Sequence, residues 1–76
     1  MTRLGQAMLN AIALASTVEE MLARWLPLIG GAEAVSELLA VVGQNLGDAE
    51  RSGAALINRL RKAWACLADF AGSIST

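Results

Sequence analysis

Between Leu4 and Trp25 the residues Leu4, Met8, Ala11, Ala15, Val18, Leu22 and Trp25 recur in alternating steps of four and three. A seam of period 3.5 belongs to one face of a helix and matches neither the alternation of a strand nor the scatter of a loop. Arg3, Gln6, Asn10, Thr17, Glu20 and Arg24 run along the opposite side. Ala7, Leu14 and Met21 widen one edge of the seam and Ile12 the other, so the apolar arc covers about half the helix circumference. An arc of that width needs neighbours on two sides, as in a bundle of three or four helices.

The spacing predicts a first helix over residues 3–25, ended by Pro27, which has no backbone N–H and biases Leu26 away from helical angles. Pro27-Leu28-Ile29-Gly30-Gly31 is the expected connector, with Leu28 and Ile29 capping the end of the core or offering an apolar contact to a partner. A shorter middle helix is expected over 32–46, with Val35, Leu38, Leu39, Val42 and Leu46 on a narrow face. Glu33 and Glu37 near its start suit the positive end of the helix dipole. Gly47 is the expected C-cap and Asp48 the N-cap of a third helix over 48–71, although the chain can also be read as helical straight through Gly47. In that last stretch Ala49, Gly53, Leu56, Leu60, Ala63, Leu67 and Phe70 repeat the four-then-three spacing, and Ile57, Trp64 and Ala71 broaden one edge. Residues 72–76 are expected to fray.

A chain of 76 residues buries only about 60% of its unfolded surface, so a lone copy is poorly supplied with core. The usual reinforcements are a disulfide, a metal or a partner chain. Cys66 is the single cysteine and there is no histidine, which excludes an internal disulfide and disfavours a protein-ligated zinc. Association with a second copy is therefore expected. Residues 1–50 carry six acids and two bases and residues 51–76 one acid and four bases, a complementarity within a net charge of −1 that can orient helices within or between subunits. Five of the six bases are arginine, which with fifteen alanines suggests a GC-rich bacterial or phage genome. The N-terminal segment imitates a secretory signal, but Gln6 and Asn10 interrupt its apolar run, and no uncharged apolar stretch reaches the roughly 18–20 residues that span a bilayer. A cytoplasmic location is expected.

The inventory for catalysis is thin. Without histidine or tyrosine, Cys66 has no imidazole to activate it, and the adjacent Glu19 and Glu20 point about 100° apart on a helix. No glycine-rich phosphate loop is present. The basic group Arg59, Arg61 and Lys62, with Arg51, is the one nucleic-acid candidate, but Arg59 and Arg61 fall about 160° apart on a helix and the chain as a whole is acidic. Trp25 and Trp64 are expected in or beside the seams, where a half-buried indole can anchor a partner, with Arg61 one turn before Trp64.

The expected fold class is all-α, one domain over 1–76, with two long helices and a shorter middle one completed by homodimerisation. The seam residues Leu4, Met8, Ala11, Val18, Leu22, Trp25, Leu56, Leu60, Ala63, Trp64, Leu67 and Phe70 would form its core or dimer contact. No catalytic, cofactor-binding or metal residues are expected. The function class is a non-enzymatic protein-binding module, a small homo-oligomeric accessory protein that sequesters, inhibits or regulates a partner protein through positions such as Arg24, Leu28, Ile29, Arg59, Arg61 and Lys62. The alternatives are a membrane-active helical peptide of the bacteriocin kind and a helical-hairpin dimer that binds RNA or DNA.

Overall fold

The N-terminal seam does not form one rod. In the computed structural model, which describes residues 2–74, it is divided into α1 (Arg3–Leu14) and α2 (Val18–Ile29), with Ala15, Ser16 and Thr17 between them. The expected single helix over 3–25 is thus two. Thr17 takes extended angles as the N-cap of α2, with Glu19 and Glu20 in the first turn. Thr17-Val18-Glu19-Glu20 has the Ser/Thr-x-x-Glu pattern of a helix start, although the Thr17 side chain makes no capping bond, and α1 itself ends earlier, at extended Ala15. Pro27 does not stop α2 but sits in its last turn. Its missing N–H would have bonded the carbonyl of Ala23, an exposed residue whose carbonyl water can serve, so the loss is cheap this close to the end.

The second correction lies downstream. One helix, α3, runs from Ala32 to Ser52 straight through Gly47, so Asp48 caps nothing and instead pairs with Arg51 one turn on. The chain breaks at Gly53, whose φ of 68° is left-handed and whose N–H reaches the carbonyl of Ala49. That geometry favours glycine at a helix end, and it dissolves the expected helix over 48–71. After a link over Gly53–Leu56, α4 runs from Ile57 to Ile74. Gly72, Ser73 and Ile74 are helical instead of frayed, while Ser75 and Thr76 lie outside the described residues.

The protein is all-helical, with four helices and no strand among the described residues. The largest interface joins α3 to α4, with α2 against α4 and α1 against α3. The radius of gyration, 11.6 Å, is close to the roughly 11 Å expected of a folded domain of this length. Each helix contributes to the core at helical spacing: Met8 and Ile12, then Val18, Leu22 and Leu26, then Val35, Leu38, Val42 and Ala49, then Leu60, Ala63 and Leu67. The break at 15–17 shifts the register of the N-terminal stripe. Ile12 and Leu26, which stood outside the seam, are buried, while Ala11 and Trp25 are half-buried.

Uninterrupted helix across Gly47 carries a prediction. A Cβ there would meet only the end of the Arg51 side chain, at 3.7 Å. Gly47→Ala is expected to raise stability by about 0.5–1 kcal/mol through backbone entropy alone, read as a higher urea midpoint at unchanged slope.

Candidate functional site

The short helix α1 is held at both ends by side chains distant in sequence. It has no acid in its first turn and no base in its last. At its start, the Thr2 hydroxyl accepts from the N–H of Gly5 at 3.1 Å and donates to Glu37 of α3 at 2.9 Å. At its end, Arg59 of α4 donates to the carbonyls of Ile12, at 3.0 Å, and Ala15, at 2.6 Å. These are the carbonyls that a helix terminus leaves without partners, and a cation there is favoured by the helix dipole. Beside Arg59, the Lys62 ammonium lies 3.3 Å from the Glu19 carboxylate at the start of α2. Glu19 is held below its ordinary value of 4.5, first by a hydrogen bond from its own backbone N–H and then by Lys62. The contact therefore stabilises above the ordinary carboxylate value and is lost as pH falls through the lowered one. Ser16, Thr17, Val18, Glu19, Asn58, Arg59 and Lys62 enclose a polar hollow of about 210 Å³ at this corner.

A larger groove shares Ser16 and Thr17 with this corner. It measures about 600 Å³ and is lined by Ala11 and Leu14 from α1, Ala15, Ser16 and Thr17 from the link, and Glu20, Met21, Arg24, Trp25 and Leu28 from α2. Its two leucines are the most exposed large apolar side chains described, Leu14 at 85% and Leu28 at 84%. Met21 and Trp25 are half-buried and pack against the core from the groove side. Glu20 and Arg24 are exposed, one turn apart.

The residues singled out from the sequence fall into three places. Met8, Val18, Leu22, Leu60, Ala63 and Leu67 are buried, with Leu4, Ile29 and Phe70 half-buried against them. Arg24, Leu28, Trp25 and Ala11 meet in the groove. Leu28 is thus not a cap on the core: with Pro27 inside the helix, α2 continues and turns Leu28 outward. Arg59 and Lys62 bind the corner, Arg61 donates to Asn58, and Leu56 and Trp64 are about two-fifths exposed on the α4 side, the indole of Trp64 lying near Gly43. Sequence reading placed Leu14 and Met21 at a seam edge and missed them as groove residues. It also missed Thr2, whose place before α1 is an ordinary N-cap signal, and the tie from Thr2 to Glu37, for which no local pattern exists.

No cluster of three or more histidine, cysteine, aspartate or glutamate side chains among the described residues is arranged to hold a metal ion. No helix among them is long and apolar enough to cross a membrane. The Cys66 thiol is pushed above its ordinary value by burial and then by the carboxylates of Glu19 and Asp69. Its alkylation by iodoacetamide at neutral pH is expected to be slower than that of a free thiol, because the thiolate is the attacking form. A rate equal to that of glutathione would contradict this. No protein-family model matches the chain, and no curated protein or solved structure matches it either.

Proposed function

We propose that this chain is a non-enzymatic protein-binding module, a small self-associating helical protein that sequesters, inhibits or regulates another protein through the α1–α2 groove. The exposure of Leu14 and Leu28 in the lining of one groove, together with half-buried Met21 and Trp25, is the observation that carries this reading. A buried leucine gains about 1.5–3 kcal/mol over an exposed one, so two wet leucines in one concavity are a standing source of association energy. Half-buried aromatic residues ringed by apolar neighbours are the usual anchors of protein contacts. The charged side chains Glu20 and Arg24 supply the orientation that an apolar surface lacks. Three of the four bases that suggested nucleic acid have partners within the chain, Arg59 at helix carbonyls, Lys62 at Glu19 and Arg51 at Asp48, and the fourth, Arg61, donates to Asn58.

The test places a photo-crosslinking amino acid at position 28 in one variant and at exposed Ser36 of α3 in another. Irradiation in the native host is expected to give discrete protein adducts from position 28 and none of the same mass from position 36. Identical patterns from both would contradict a groove-specific function. Light scattering behind size exclusion at micromolar concentration tests self-association, and a chain that elutes as a monomer throughout would remove that part.

A further inference from the structure

The α2 residues that line the groove are Glu20, Met21, Arg24, Trp25 and Leu28, a spacing that places all five on one stripe which the N-cap Thr17 continues. The stripe carries one acid and one base, Glu20 and Arg24, and neither takes part in the ion pairs formed among the described residues. Its apolar ends are the exposed Leu28 and, three residues before Thr17 on the other wall, Leu14.

We propose that the occupant of the groove is α2 of a second copy of this chain, packed antiparallel across a two-fold axis near the middle of the helix. The proposal rests on the protein-binding reading above and names the groove's resident occupant as a second copy, which a regulated partner protein has to displace. A two-fold contact must be self-complementary, each residue meeting its counterpart in mirrored order. Here the single operation sets Glu20 of each copy against Arg24 of the other, giving two opposite-charge pairs per dimer. In that register Met21 lies next to the axis, Trp25 lies three residues from it, and Leu28 of each copy falls opposite Ser16 of the other, two residues from Leu14. Parallel packing would instead oppose Glu20 to Glu20 and Arg24 to Arg24, which repel. A lipid surface offers no ordered counterpart to this acid–base pair.

Sedimentation equilibrium over a micromolar concentration series tests the pairing on E20R, R24E, the double variant E20R/R24E and an equimolar mixture of the two single variants. The positions are exposed, and circular dichroism verifies that each variant remains helical. Each single reversal opposes like charges twice per dimer and is expected to weaken self-association by about tenfold or more. The double variant and the mixture restore opposite charges at both contacts and are expected to regain the original affinity. Recovery by mixing two folded but weakly associating chains has no explanation in folding. Single reversals that associate like the unmodified chain would overturn the groove pairing and leave self-association standing through another face. A chain that is monomeric at every concentration would overturn the pairing and the self-association reading together. A blue shift of Trp25 emission, read in the W64F variant on addition of phosphatidylglycerol vesicles, would assign the groove to lipid and overturn the pairing.

Discussion

Arg59→Ala is expected to lower the unfolding free energy by about 2–4 kcal/mol, measured by urea denaturation, making it the costliest change at any charged residue of the chain. Its guanidinium donates to the carbonyls of both Ile12 and Ala15, and a hydrogen bond from a charged donor contributes roughly 1.5–3 kcal/mol before allowance for the half-exposed setting. Alanine leaves the end of α1 to water and removes the one cation at that terminus. Both bonds leave the single nitrogen Nη1, so Arg59→Lys, which keeps the charge and several donors on one nitrogen, is expected to recover half of the loss or more. A loss below about 0.5 kcal/mol for the alanine variant would show that the contact is no stronger than an ordinary surface pair.

Leu38→Ala is expected to cost about 2–5 kcal/mol, because Leu38 has no exposed surface and its truncation leaves a cavity among the core residues of the bundle. At roughly 0.05–0.15 kcal/mol per residue the whole chain holds only about 4–11 kcal/mol, so this one truncation brings it near unfolding. The matching thermal shift is a fall of roughly 10–30 °C. Leu28→Ala is the control: with its side chain already in water, its effect on folding is expected to stay within about 0.5 kcal/mol. Equal losses at the two positions would contradict the placement of Leu28.

The helical class and much of the buried face were legible because they depend on periodicity, a local signal. Met8, Val18 and Leu22, or Leu60, Ala63 and Leu67, follow from spacing alone. The breaks were harder to read. Pro27 and Gly47 have the composition of stops yet lie within helices, whereas Thr17 and Gly53 are the points of interruption. Propensity is worth about 1 kcal/mol at a glycine, and tertiary packing along the α3–α4 interface outweighs it at Gly47. At Thr17 the capping pattern was present in the sequence, but the unbroken seam from Ala15 to Val18 masked it. The groove was legible only in its parts. Arg24 and Leu28 were singled out as contacts, but Leu14 joined them only once the break had turned α1 against α2. The tie from Arg59 to Ala15 spans 44 residues and leaves no trace in any local window.

That dependence on distant ties sets an order of events. A helix of twelve residues is marginal alone, and both ends of α1 are secured by groups that arrive late along the chain, Glu37 and Arg59. The hairpin of α3 and α4, joined by four residues, can assemble first from near neighbours. The N-terminal segment then becomes the last to acquire protection and the first to release it, so its amides exchange with deuterium through partial opening while those of the hairpin wait for the whole chain to unfold.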